Sequence, residues 1–156
     1  MNLILENSKY VECYSYLDPL FYKIPELKEY HWVLSNQEIS YSAVKKIQIH
    51  TSPAVFSGDE LAEIVNTEKI QFIWGVFSAF LNKPKVDASN LPYADGNSSF
   101  WEGIPQPQAK DAEFEIVCWD STCTLFIGVS EQLAESLKHL YPDIKDLDKE
   151  NNKILR

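Results

Sequence analysis

EFEIVCWDSTCTLFIGV, residues 113–129, decides the fold class. Two apolar runs rich in strand formers flank a short polar centre, which is the pattern of a β-hairpin. If the turn is Asp120-Ser121, Trp119 faces Thr122, Cys118 faces Cys123, Ile116 faces Leu125 and Phe114 faces Ile127. Every second pair is then apolar, so one side of the ribbon is hydrophobic throughout. A four-residue loop from Asp120 to Cys123 pairs Cys118 with Leu125 instead and keeps the alternation. The pattern leaves both registers open, but either one requires an antiparallel pair.

Helical and extended segments lie on both sides of this hairpin. Downstream, SEQLAESLKHLYP places Leu133, Leu137 and Leu140 on one helical face, with Ser130 as N-cap and Pro142 as the stop. Upstream, KIQFIWGVFSAF (69–80) is apolar at nearly every position, as expected of a central strand buried on both faces. Gly75 within it marks a bulge or a close backbone approach. SGDELAEIVNT predicts a second helix: Ser57 and Glu60 form a capping box, and Leu61, Ile64 and Val65 share a face.

Towards the N-terminus, LILE (3–6) reads as a short strand, and residues 7–24 as a helix ending or kinking near Asp18, because Pro19 disfavours its continuation. From Tyr30 to His50 the expectation is extended pieces: HWVL, a turn at SNQ, then EISY. The sum is one α+β domain over residues 1–156, with an antiparallel or mixed sheet of about five or six strands and helices packed on one side. Residues 81–109, with prolines at 84, 92, 105 and 107, form a long loop, and residues 148–156 read as a frayed tail.

Composition narrows the chemistry. Net charge is −9, and of 14 cationic side chains only Arg156 is an arginine. A chain so acidic and so poor in bidentate donors is a weak candidate for nucleic acid or anionic substrates, and it favours basic partners. No apolar run reaches bilayer length, and MNLILENSKY lacks the form of a secretory signal, so the cytoplasm is the expected location.

No motif in the chain carries catalysis or a cofactor. There is no G-x-S-x-G elbow and no glycine-rich phosphate loop. Cys118 and Cys123 have C-x4-C spacing without a second pair, and Cys13, His31, His50 and His139 are scattered, so no metal set is expected. The reading for the two close cysteines is packing in a core, although the two-residue turn would allow a cross-strand disulfide. Paired acids such as Glu113 and Glu115 read as solvated strand edges.

The remaining functional signal is aromatic residues beside carboxylates. Asp111, Glu113, Glu115, Asp120, Glu131 and Glu135 fall between residues 111 and 137, where no lysine or arginine occurs. Trp119 adjoins Asp120 and Trp101 adjoins Glu102. Such pairs suit a docking face on which aromatics anchor and charges steer a basic protein. Asp95, Trp101, Glu102, Trp119 and Asp120 are the candidate partner-binding residues. The competing expectation is a small-ligand protein or enzyme in which loop 81–109 is a lid over a pocket lined by Trp74, Trp101 and Trp119. A third is a scaffold subunit with an exposed apolar face.

IQFIWGVFSAF (70–80), PYADGNSSFW (92–101), EIVCWDSTCTLFIGVSEQL (115–133) and the later Lys145-Asp146-Leu147 resemble a family of small bacterial proteins of similar length. That resemblance covers most of the chain and implies no catalytic residues. In size, acidity and lack of catalytic motifs the chain also resembles the immunity proteins that bacteria make against toxins of neighbouring cells. This likeness implies a non-enzymatic protein that occludes the active site of a basic toxin domain.

Overall fold

A seven-stranded antiparallel sheet forms the centre of the computed structural model, which describes residues 1–40, 49, 51–67 and 69–154. In chain order the elements are β1 (Leu3–Glu6), α1 (Asp18–Lys23), a 3-10 turn (Pro25–Glu29), β2 (His31–Ile39), β3 (Ala54–Ser57), α2 (Gly58–Thr67) and β4 (Phe72–Phe80). There follow a 3-10 turn (Ser98–Trp101), β5 (Phe114–Trp119), β6 (Cys123–Ile127), α3 (Glu131–Leu140), β7 (Lys145–Asp146) and α4 (Leu147–Ile154). The strand order is β3-β2-β4-β5-β6-β1-β7. The expected α+β class is therefore observed, and the seventh strand is a two-residue edge piece.

Both faces of the sheet are buried. On one, Trp32, Leu34, Phe77, Phe114, Ile116 and Phe126 pack beneath side chains of α1, α2 and α3. Trp32 is central to it: its ring meets Phe21, Tyr30 and Phe114 edge-on at 5.5–6.3 Å, and its Nε1 donates to the Leu27 carbonyl at 3.0 Å. On the other face, Ile4, Val76, Val117, Leu125 and Ile127 meet Ala94 and Phe100 of the long loop and Leu147 of α4. Three helices thus share one side and α4 takes the other, together with the loop.

Local chemistry explains most elements. Ser57 Oγ accepts from the Glu60 N–H at 3.2 Å while Glu60 Oε2 accepts from the Ser57 N–H at 2.7 Å, which closes the capping box at the start of α2. Ser130 Oγ accepts from the Leu133 N–H at 3.1 Å and caps α3. Strand β4 lies between β2 and β5 and is buried from Gly75 to Phe80.

Four expectations are corrected. Pro19 starts a helix instead of ending one: α1 begins at Asp18, where the missing N–H costs no helical hydrogen bond. SNQ is not a turn but a bulge inside the continuous strand β2, with Asn36 at φ 48°. Asn36 and Gln37 together oppose Gly75, where an added Cβ would lie 3.3 Å from Gln37 Cβ. The extended reading of residues 41–48 and of His50 lies outside the described residues. Residues 147–154, expected to fray from 148, form α4, held by fully buried Leu147 and Asn151.

The fourth correction concerns the hairpin register. Trp119 pairs with Cys123, Cys118 with Thr124 and Val117 with Leu125, so the loop contains three residues. Asp120 and Ser121 take left-handed φ values of 46° and 55°, and the Trp119 carbonyl accepts from the Thr122 N–H at 2.9 Å. The choice is made by a neighbouring strand: the Ser121 N–H donates to the Ile73 carbonyl at 3.1 Å, and Gln71 Nε2 to Ser121 Oγ at 3.1 Å. Because side chains alternate, this odd count sends Cys118 to the helix-covered face and Cys123 to the loop-covered face. A disulfide between them is excluded by direction.

Candidate functional site

The loop-covered face carries the residues singled out above. Trp74 on β4 and Trp119 on β5 are cross-strand neighbours, because Gly75 pairs with Cys118. Their rings meet edge-on at 5.1 Å, and Trp101 from the loop adds a second edge-on contact to Trp119 at 5.0 Å. Phe100 closes the cluster from below at 6.2 Å. Phe100 is buried, whereas all three indoles remain half-exposed. Offset and edge-to-face packing of this kind fixes ring positions and adds about 0.5–1.5 kcal/mol per pair beyond area burial.

Polar side chains hold the loop in place, Asn2, Ser35 and Asn151 from beneath it and Asn36 from the exposed bulge. Asn151 Nδ2 donates to the carbonyls of Phe100 and Gly103 at 3.0 and 3.2 Å. Asn2 Nδ2 donates to the Pro105 carbonyl at 2.9 Å and to Asp148 Oδ1 at 2.7 Å, while Asn2 Oδ1 accepts from the Gly128 N–H at 2.8 Å. Ser35 Oγ and Asn36 Nδ2 both donate to the Pro92 carbonyl at 2.8 Å. Nothing in the sequence distinguished these residues, since an isolated asparagine or serine has no periodicity to betray it.

Glu115 is the most consequential residue missed. It was expected at a solvated strand edge; it is fully buried, inside the sheet face beneath the loop. Oε1 accepts from Ser78 Oγ at 2.9 Å and from the Ala109 N–H at 2.8 Å, and Oε2 from the Gln108 N–H at 2.9 Å. Loss of solvent pushes its pKa above the ordinary carboxylate value, and the three hydrogen bonds oppose that only in part.

The five candidate partner-binding residues divide by role. Trp101 and Trp119 touch directly, and Glu102 and Asp120 directly follow them, exposed, with no hydrogen bond or ion pair among the described residues. Asp95 is also exposed and adjoins Ala94, which packs into the same apolar layer. The wider acidic run from 111 to 137 does not converge here. Glu115 is buried, Glu131 and Glu135 ride on α3 over the other face, and Asp111 and Glu113 lie before the far end of β5. There Glu113, with Glu29 and Glu26, adds to the effect of burial in raising the Tyr30 pKa.

The lid over an aromatic pocket is not what the loop forms at this point. Trp74, Trp101 and Trp119 fill the space between them, and the cavity of about 620 Å³ on this face has none of the three in its lining. Among the described residues no group of three or more His, Cys, Asp or Glu is placed to hold a metal ion, and no helix is long and apolar enough to cross a membrane. Compared with protein-family models, with curated proteins and with solved structures, the chain matches none.

Proposed function

We propose that the protein is a non-enzymatic binding protein that docks a basic protein partner on the tryptophan cluster, in the manner of an immunity protein covering a toxin's active site in the cytoplasm. The observation that supports this reading is the pairing of preset, half-exposed Trp101 and Trp119 with unpartnered Glu102 and Asp120. Binding energy at protein interfaces concentrates in such aromatic anchors because they bury large areas at little entropic cost. Carboxylates at the rim accelerate encounter with a cationic surface and set its salt dependence. On a chain of net charge −9, with 13 of its 14 cations lysine, attraction of a basic partner is the general electrostatic bias as well.

The test is titration, by calorimetry and by stopped-flow kinetics, against any basic protein encoded in a neighbouring reading frame, at low and at moderate salt. Absence of binding to any such protein counts against the reading. Expected is 1:1 binding that weakens with salt. Glu102→Lys with Asp120→Lys, two exposed changes that leave the core alone, should slow association by at least about tenfold. Trp101→Ala should weaken affinity by about 30-fold or more, as a central anchor does. If the charge reversals leave both rate and affinity unchanged, the reading fails.

A further inference from the structure

Elsewhere the protein covers its own aromatic faces with its own cations. Lys9, Lys23 and Lys69 sit over the rings of Tyr10, Tyr22 and Tyr16 at 5.2, 5.0 and 5.6 Å. Among the described residues no ammonium lies over Trp74, Trp101 or Trp119, although an indole holds a cation better than a phenol ring does.

The segments that build the cluster leave it so. Residues 70–82, 86–109 and 111–137 contain no lysine or arginine. Helix α4, whose Asn151 reaches the Phe100 carbonyl beside Trp101, carries Lys149 and Lys153, and both are paired, with Asp146 and Glu150. Carboxylates, by contrast, flank the rings. Glu102 and Asp120 directly follow Trp101 and Trp119, and Glu38 pairs with Trp74 across β2 and β4. All three acids are exposed, and none has a hydrogen bond or ion pair among the described residues.

Rings and carboxylates here attract the same kind of group, and the neighbouring elements supply none. A guanidinium suits both halves: it is planar and stacks on an indole, while its N–H fork meets a carboxylate. An ammonium is compact and more strongly hydrated, so it gains less from the ring. We infer that the tryptophan cluster takes an arginine side chain of the partner, its guanidinium stacked on the exposed surface of Trp101 and Trp119 and its N–H groups on Glu102 and Asp120. The inference rests on the docking reading above and narrows it, making arginine, and not lysine, the partner's central contact. Of this chain's 14 cations only Arg156 is an arginine, so the group comes from a protein richer in it.

The probes are two short peptides, one alternating arginine with glycine and the other lysine with glycine. Each is titrated onto the intact, isotope-labelled protein and followed by NMR through the indole N–H signals of its four tryptophans. Fully buried Trp32 is the internal control. Expected are saturable shifts at Trp101 and Trp119 with Trp32 unmoved, and an affinity for the arginine peptide about tenfold above that for the lysine peptide. Glu102→Gln with Asp120→Asn should weaken the arginine peptide by about fivefold or more. Both positions are exposed, and asparagine tolerates the left-handed backbone of position 120, so the fold is not threatened. Equal affinity for the two peptides, no indole shift below about 10 mM, or an unchanged affinity in the carboxylate variant would each overturn the inference. The docking reading is decided separately, by the titration against a basic protein, whose outcome does not depend on a preference between the peptides.

Discussion

Glu115→Ala should destabilise the protein by about 3–5 kcal/mol in urea denaturation and free the long loop to proteolysis at the same time. The substitution leaves three donors without their acceptor: the buried Ser78 Oγ and the half-buried N–H groups of Gln108 and Ala109. Each such orphan costs about 1–3 kcal/mol. Two of the three belong to the loop, so its connection to β4 and β5 is lost with the carboxylate. Glu115→Gln keeps an acceptor at one oxygen but turns an NH2 towards a donor at the other, and should cost less.

The same residue imposes a pH dependence of defined sign. Its folded pKa lies above its unfolded value of about 4.5. The contribution to stability is therefore whole below that value and is lost as pH rises through the folded pKa. Wild-type protein should lose stability on going from about pH 4 to pH 7 by an amount that Glu115→Gln does not show. Denaturation midpoints at half-unit steps across that interval would decide it, and a wild-type curve no steeper than the variant's would refute the assignment.

Gly58→Ala should cost about 3 kcal/mol, against the usual direction of the exchange. Near the start of a helix, glycine to alanine normally stabilises by about 0.4–1 kcal/mol, since alanine restricts the unfolded chain. Here an added Cβ would lie 2.2, 2.4 and 2.5 Å from the O, C and Cα atoms of Lys28. Those are main-chain atoms of the 3-10 turn and cannot rotate away as a side-chain tip can. Helix α2 would have to move off the turn, and the capping box at its first residues would move with it. Gly96→Ala is the control: its φ of 75° strains any side chain, but nothing lies within 4 Å, so it should lose only about 1–2 kcal/mol. A small effect at Gly58 in thermal melts would mean that the two elements are not packed as closely as described.

These cases mark where the sequence could be read and where it could not. The capping box of α2, the Ser130 cap and Pro142 stop of α3 and the doubly apolar β4 were legible because each is written within ten or so neighbouring residues. Pro19 was not, because a proline suits a helix start as well as a stop. The hairpin was legible as a hairpin, yet its register depends on the Ile73 carbonyl, 48 positions before Ser121, so local alternation could not choose it. Asn36 in SNQ resembles a turn because a bulge also wants a left-handed residue. Glu115 resembles any exposed strand acid until the loop is folded over it.

The candidate site was legible in composition and not in shape. Trp101 and Trp119 were identifiable as aromatics beside acids, and they do meet. That Trp74 would complete a filled cluster, and that the open volume would lie instead under residues 81–91, follows from how far the loop is drawn down by Asn2, Asn151 and Glu115.

The three-residue hairpin loop also makes the protein its own reporter of opening. Cys118 and Cys123 are five positions apart, yet each is sealed in a different layer, and burial pushes their thiols up, Cys123 to about 12. A thiol held so far from its thiolate hardly reacts with an alkylating agent until water reaches it. Under pulses of iodoacetamide, half-exposed Cys13 should be tagged in the folded state, whereas Cys118 records release of the helices and Cys123 release of the loop and α4. If the loop-covered layer lifts alone, the tag on Cys123 will run ahead of that on Cys118. If the two advance together, the layers open as one unit.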